Sequence, residues 1–170
     1  MNTEQLLLHL QAQHDLQALS ARYCNGVDRR DLALLQSLWW PEAHLDFGVF
    51  AGPARKFCEL IASGDPAVEV SFHFTANALF QVDGEQASGS SYVITVSALN
   101  VDGVATQQLL GGRYLDQYQR RDGVWKFSER LFVLDWNINQ PSAAVWDAGI
   151  GAMARRGWAG PDDPAWGQQH

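Results

Sequence analysis

The residue types in this chain that could move protons include an aspartate, Asp28, and a histidine, His73. An imidazole can remove a proton from carbon near neutral pH, and a carboxylate on its other ring nitrogen fixes the tautomer and stabilises the imidazolium. Each residue also has a structural explanation. Asp28 could be a turn or capping residue before a helix, and His73 could be a satisfied core residue of a strand. The residue types alone leave both alternatives open.

The first element that must position these residues is an N-terminal helix. Residues 3–24 carry leucines on one face, which predicts an amphipathic helix. Asn25 and Gly26 tolerate the left-handed conformation that ends helices, so we expect the helix to stop there. Asp28 would then lie just beyond its C-terminus.

Two further helices and a short strand are predicted before residue 64. Asp31 is placed to cap a helix over residues 32–40, which Pro41 halts. Residues 44–50 alternate as a short strand. Gly52-Pro53 then opens a third helix that runs to about residue 63.

The second half of the chain has the pattern of a long antiparallel meander. Four segments are rich in Val, Phe, Tyr, Thr and Leu, and they cover residues 69–83, 87–99, 104–120 and 124–136. The turns between them are Asp-Gly pairs, which are strong hairpin signals. Three helices packed on one face of a curved, mainly antiparallel sheet, with a cavity between the layers, is the expected α+β fold.

One domain, residues 1–137, accounts for this pattern, and residues 138–170 form a tail without a clear period. The tail is predicted to be helical near residues 142–155. It carries three tryptophans, and large exposed apolar groups are a liability. We therefore expect the tail to pack on the pocket mouth or on a neighbouring subunit.

Composition excludes several classes of partner. The net charge is −7, the pI is about 5.0 and only 12 Lys and Arg are present, which argues against binding nucleic acid or an anionic membrane surface. No apolar run reaches the ~18 residues of a membrane span. The N-terminus lacks the pattern of a signal peptide, so we expect a cytoplasmic protein. Cys24 and Cys58 have no metal-type spacing and are predicted to be buried free thiols.

Several aromatic side chains are candidates to line the cavity, although core packing is the alternative for most of them. They are Trp40, Phe47, Phe50, Tyr92, Tyr114 and Trp136. Asn77 stands four residues after the histidine in a predicted strand and should share its face. It would either bind ligand or satisfy backbone groups at a bulge. His44 and His73 could nominally join Asp28 in a metal site, but no short ligand motif supports one, and we expect no metal.

Four sequence blocks, taken in order, resemble the SnoaL-like branch of the NTF2-like superfamily over about residues 10–137. The blocks are residues 23–31 with 37–43, residues 71–77, residues 112–116 with 118–126, and residues 127–130. The resemblance implies a cone-shaped α+β barrel whose active members use an Asp–His pair. The family's aspartate falls on Asp28, its histidine on His73 and its strand arginine on Arg130. Dimers and trimers occur in the family, so a homo-oligomer is expected.

The position five residues before the aspartate is informative within this resemblance. It is lysine in the family's dehydrochlorinase and tyrosine in its bile-acid dehydratase, and here it is Tyr23. Tyr23 could donate a proton, which favours dehydration over the elimination of halide, although it also continues the apolar stripe of the first helix. Arg130 could supply positive charge, or form a structural ion pair with Asp116 or Glu129.

The resemblance and the residues together predict a cofactor-independent lyase that acts on a hydrophobic small molecule. His73 would be the base, Asp28 its orienting carboxylate, Tyr23 the acid and Arg130 the electrostatic support. An isomerase or cyclase with the same proton-transfer set is an alternative. A non-catalytic binding or assembly domain, like the small subunit of ring-hydroxylating dioxygenases, is another. The identity of the substrate is left open.

Overall fold

The computed structural model describes residues 2–166 of the chain. The helices are α1 (Thr3–Arg29), α2 (Leu32–Ser37), α3 (Ala54–Ser63) and α4 (Gly149–Met153). The strands are β1 (Trp39–Asp46), β2 (Ala51–Pro53), β3 (Val68–Asp83), β4 (Gln86–Val101), β5 (Val104–Arg121) and β6 (Val124–Pro141). None of these helices combines the length and the apolar character that crossing a bilayer requires.

The strands form one open sheet in the order β2-β1-β6-β5-β4-β3. The β1–β6 pair is parallel and the other pairs are antiparallel. The first three helices pack on this sheet, so the predicted α+β class and the mainly antiparallel sheet are confirmed.

Hairpin turns set the register of the long strands. In the turns after β4 and β5, Asp102 and Asp122 have φ values of 51° and 52°, and the glycine after each is also positive. Two positive φ values in a two-residue loop define the type I′ turn, whose twist matches that of paired strands. The predicted hairpins at these turns are confirmed.

The first helix ends later than the sequence predicts. It continues through Asn25 and Gly26 to Arg29, and Arg30 takes the left-handed cap with φ 55°. Gly26 is buried within the helix, where a Cβ would lie 2.9 Å from Cδ2 of Leu35. The glycine therefore allows close approach of α2 and does not stop α1. Consequently Asp28 lies in the last helical turn.

The second helix is shorter than predicted, because the chain is extended before Pro41. Helix α2 ends at Ser37, and Trp39 already belongs to β1 and stacks 4.8 Å from the ring of Phe127 on β6. The predicted N-cap is confirmed, since the side chain of Asp31 accepts a hydrogen bond from the backbone N–H of Leu34.

The C-terminal tail docks on the end of α1. Arg29 pairs with the Asp163 carboxylate at 3.1 Å, and its carbonyl accepts a hydrogen bond from the backbone N–H of Gly160. Strand β6 runs to Pro141 and α4 covers only part of the predicted 142–155 helix. Residues 167–170 lie outside the described residues. Packing of the tail on the pocket mouth or a neighbouring subunit stays a prediction.

A buried ion pair crosses the core between β5 and β6. Nε and Nη2 of Arg130 donate to the two carboxylate oxygens of Asp116 at 2.7 and 2.9 Å, and the hydroxyl of Tyr118 donates to the same carboxylate at 2.8 Å. Burial alone would lower the pKa of Arg130, but the Asp116 carboxylate outweighs it and the pKa is raised. Cys24 and Cys58 are free and buried, as predicted.

Replacing Asp116 by alanine should destabilise the protein by about 3–5 kcal/mol, because it leaves the Arg130 charge buried without its partner. Urea unfolding measures the change. Glu85→Ala breaks the exposed Arg120–Glu85 pair and is the matched control, which should leave the unfolding midpoint almost unchanged. Equal midpoints for the two variants would contradict this role of the buried pair.

Candidate active site

The Asp28 carboxylate binds His73 at two points. Its Oδ1 lies 2.6 Å from Nδ1 of the imidazole, and its Oδ2 accepts a hydrogen bond from the His73 backbone N–H at 2.9 Å. The two side chains are only 6% and 14% exposed. Because the carboxylate accepts a proton at Nδ1, the neutral ring carries its hydrogen there and leaves Nε2 as the basic nitrogen.

The imidazole stands between this carboxylate and a large cavity. The cavity has a volume of about 920 Å³ and His73 is among its lining residues, whereas Asp28 lies behind the ring and does not line it. A volume of this size suits a small organic molecule. The geometry therefore offers a basic nitrogen, held in one tautomer, to a ligand in the cavity.

The sheet side of the cavity is built from cross-strand partners of His73. One row crosses β3, β4, β5 and β6 in register, and its members are His73, Thr95, Leu110 and Asn137. The next row, two residues further along each strand, consists of Ser71, Ser97, Gln108 and Asn139. The first row is mixed, and the second row is entirely polar and uncharged.

Aromatic rings form the deep end of the cavity, and they are Tyr23, Phe47, Phe57, Tyr114 and Phe132. Tyr23 is 1% exposed and comes from α1, about 1.4 turns before Asp28. Burial raises the pKa of Tyr23, and the Arg130 charge only partly offsets this rise. Tyr23 therefore keeps its proton at neutral pH and can act as a hydrogen-bond or proton donor.

Arg130 lies one layer behind the cavity and does not line it. Its guanidinium carbon lies 4.0 Å from the ring centre of Tyr114 and 4.2 Å from that of Tyr23. Nη1 has no hydrogen-bond acceptor within the described residues, and these ring faces surround the charge instead. The alternative of an ion pair with Asp116 is the one the structure contains.

Two of the six aromatic candidates, Phe47 and Tyr114, line the cavity. Trp40 lies outside it, because its indole N–H donates to the Gln119 carbonyl and Arg121 stacks on its ring. The ring of Phe50 packs against the ring of Phe57 and does not line the cavity. For Trp40 and Phe50 the core-packing alternative holds, because their rings pack against neighbouring side chains.

Tyr92 and Trp136 also lie outside the cavity, on the opposite face of the sheet, with 55% and 44% exposure. Asn77 is likewise exposed and outside the lining. It sits at a bulge in β3 with φ 51°. The extra residue of this bulge reverses the alternation of faces, so the predicted placement of Asn77 on the His73 face is wrong.

Most of the polar lining residues were not predicted from the sequence, although the register of one hairpin gives a partial signal. The type I′ turn at Asp102-Gly103 pairs Val101 with Val104 and, counted back along both strands, Thr95 with Leu110. That register links Thr95 to Leu110, but it reaches neither His73 nor Asn137, because bulges in β3 and β6 interrupt the count on either side.

Metal ligation is not favoured by the side chains that are present. Among residues 2–166 there is no group of three or more His, Cys, Asp or Glu side chains that could hold a metal ion. His44 is exposed and its Nδ1 lies 2.8 Å from the Glu42 carbonyl, away from the Asp28 carboxylate.

Comparison with known proteins gives one family for most of the chain. The SnoaL-like domain model matches residues 8–131. The chain is 28% identical over 135 residues to hexachlorocyclohexane dehydrochlorinase 1 of Sphingobium indicum, a match that covers 77% of this chain and 85% of the relative.

Solved structures agree with this comparison. A crystal structure of a hexachlorocyclohexane dehydrochlorinase (type 2) superposes with a TM-score of 0.71 at 26% identity, covering 82% of this chain and 94% of that one. A proposed scytalone dehydratase from Novosphingobium aromaticivorans shares the fold with a TM-score of 0.67 at 18% identity, covering 80% and 92%.

The tautomer of His73 can be measured without any substrate. Long-range ¹H–¹⁵N correlation spectra at pH 8 should show His73 protonated on Nδ1 and bare on Nε2, because Asp28 accepts from Nδ1. Asp28→Ala should abolish this preference. Exposed His14 serves as the internal reference and should not change. A proton on Nε2 of His73 in the native protein would contradict the assignment.

Proposed function

Since the chain belongs to the family of SnoaL-like domains, we propose that it is a lyase that eliminates water from a hydrophobic small molecule without a cofactor. The observation that carries the proposal is the 2.6 Å contact between Asp28 Oδ1 and His73 Nδ1, on an imidazole that lines the 920 Å³ cavity. This is the arrangement that general-base catalysis requires.

In the proposed reaction, Nε2 of His73 removes a proton from the carbon next to an electron-withdrawing group. The released electron pair forms a carbon–carbon double bond as the β-hydroxyl departs. The hydroxyl of Tyr23 donates its proton to that oxygen, which leaves as water. The Asp28 carboxylate stabilises the imidazolium, which then returns a proton to the Tyr23 phenolate and restores the site.

The acid residue distinguishes loss of water from loss of halide. Hydroxide is a poor leaving group and needs a proton, whereas chloride leaves as the anion. Tyr23 lines the cavity and keeps its proton at neutral pH, so it is placed to supply that proton, and the Arg130 charge offsets part of the cost that burial adds to its ionisation. We therefore favour dehydration here, although the curated relative is named a dehydrochlorinase.

Arg130 would assist from behind the cavity as a positioning residue. Its charge lies 4.2 Å from the centre of the Tyr23 ring and would stabilise the phenolate that forms when the proton is donated. Isomerisation or cyclisation needs the same base but no acid at a leaving oxygen. A purely structural role for the domain does not need a cavity of this volume with a histidine in its wall.

The test uses 4-hydroxy-2-tetralone, a β-hydroxyketone that loses water to give fluorescent 2-naphthol. His73→Ala should lower kcat/KM by about 10³-fold, and Tyr23→Phe by about 10²-fold. Exposed His44→Ala is the matched control and should keep the native rate. Full activity of His73→Ala, or no native rate above the uncatalysed one on this ketone or on hexachlorocyclohexane, would argue against the lyase.

The acid role of Tyr23 has its own readout. On hexachlorocyclohexane, followed by chloride release, Tyr23→Phe should lose much less activity than on the hydroxyketone, because chloride departs without a proton. Equal losses on the two compounds would instead indicate that Tyr23 acts only in packing or binding.

We also propose that the chain forms a homo-oligomer, a dimer or a trimer, through the sheet face opposite the cavity. That face exposes Phe72, Phe74, Tyr92, Ile94 and Ile138, each at 42–55%, which is a large apolar patch for a monomer. A cytoplasmic location likewise stays a prediction.

Light scattering after size exclusion should give two or three times the mass of one chain. Phe74→Glu should shift the protein to monomer, because it places a charge in the sheet face that the oligomer would bury. Leu7→Glu is the matched control, since Leu7 is an exposed apolar residue on α1. A native monomer would contradict the proposed assembly.

A further inference from the structure

A bulge in β6 decides which side chains of that strand enter the cavity. Gly112 of β5 pairs with Leu134 and Gly111 pairs with Trp136, so Asp135 is an extra residue in β6. In an unbroken strand Leu134, Trp136 and Ile138 would share one face. The extra residue turns Trp136 and Ile138 outward and brings Asn137 and Asn139 into the cavity wall.

Two contacts hold this bulge. Nε and Nη2 of Arg113 on β5 bind both carboxylate oxygens of Asp135 at 2.9 and 2.8 Å. The indole of Trp136 lies directly on Gly111, where a Cβ would approach it to 2.1 Å. Gly111 is needed for this contact, because only a residue without a side chain leaves room for the outward-facing indole.

The residues that the bulge turns inward form a chain of amides. Nε2 of Gln108 donates to Oδ1 of Asn139 at 2.9 Å, and Nδ2 of Asn139 donates to Oδ1 of Asn137 at 3.0 Å. This direction leaves the Asn137 amide as a donor at one end and the Gln108 carbonyl as an acceptor at the other. Such a pair serves a hydroxyl or a carbonyl equally well.

No charge is available at this end of the cavity. Among the described lining residues the formally charged ones are Arg30 and Asp65, which come from the helical side. Nη2 of Arg30 donates to the Val68 carbonyl at 2.9 Å, and Oδ1 of Asp65 accepts from the Ala67 backbone N–H at 2.8 Å. A ligand carboxylate or ammonium group would find no counter-charge at the exposed side chains of Asn137 and Asn139, and it would lose its hydration if it entered deeper among the aromatic rings.

We propose that the β6 bulge creates a second recognition point, and that the substrate is an uncharged molecule with a hydroxyl or carbonyl at the end opposite the reacting carbon. The amides of Gln108, Asn137 and Asn139 bind that group while His73 faces the other end. Three strand spacings separate His73 from Asn137, so the ligand spans at most about 14 Å along the sheet. Only the assignment of the reacting end rests on the proposed function.

The test is a binding experiment with three planar probes of one shape: fluorene, 2-hydroxyfluorene and fluorene-2-carboxylate. None has a leaving group, so the titration of probe fluorescence reports binding alone, whether or not the protein is a lyase. In the native protein 2-hydroxyfluorene should bind roughly five- to tenfold more tightly than fluorene, and the carboxylate should bind more weakly than either.

The double variant Asn137→Leu with Asn139→Leu removes the amides but keeps similar side-chain volume. It should reduce the preference for 2-hydroxyfluorene to about one while fluorene still binds. Gln140→Leu is the matched control, because Gln140 is the neighbour of Asn139 on the other face, and it should keep the native preference. Circular dichroism and the thermal midpoint establish that each variant is folded.

Three results would overturn the proposal: tightest binding of the carboxylate, a hydroxyl preference that survives in the double variant, or failure of all three probes to bind. His73→Asn separates this inference from the proposed function. It should abolish turnover of the hydroxyketone but leave the preference among the three probes unchanged.

Discussion

The structure of the site depends on the two hydrogen bonds that the Asp28 carboxylate accepts from His73. The bond to the backbone N–H ties the last turn of α1 to β3, and the bond to Nδ1 orients the ring. A buried carboxylate is costly unless its oxygens have partners, so the same interaction satisfies Asp28 and fixes the imidazole of His73. The late end of α1 at Arg29 is what brings the carboxylate into the reach of β3.

Bulges shape the cavity wall that His73 faces. The bulge in β3 turns Asn77 away, and the one at Asp135 turns Asn137 and Asn139 inward. A third irregularity, between Tyr118 and Gln117 of β5, lets both Phe127 and Arg130 point into the core although they stand three residues apart on β6. Without these bulges the period of two would turn Asn77 toward the cavity, turn Asn137 and Asn139 away from it, and place either Phe127 or Arg130 on the outer face.

A buried ion pair and a layer of aromatic rings lie behind the cavity. Asp116 holds the buried Arg130 by two hydrogen bonds, and the rings of Tyr23 and Tyr114 cover the guanidinium. The positive charge therefore lies behind these two rings and does not line the cavity. Aromatic rings make up the deep end, whereas the amides of Asn137 and Asn139 are exposed.

The sequence by itself determined the α+β class, the order of the elements, the type I′ hairpins, the cap at Asp31 and the resemblance that pointed to Asp28 and His73, because these depend on local turn chemistry and on periodicity. It could not determine the end of α1, since Gly26 serves a contact with Leu35 that no local rule contains. Trp136 and Asn77 were misplaced for a similar reason. A bulge is decided by how two strands pair, and only the tertiary structure brings Arg113 to Asp135 and Trp136 to Gly111, so only it decides which side chains line the cavity.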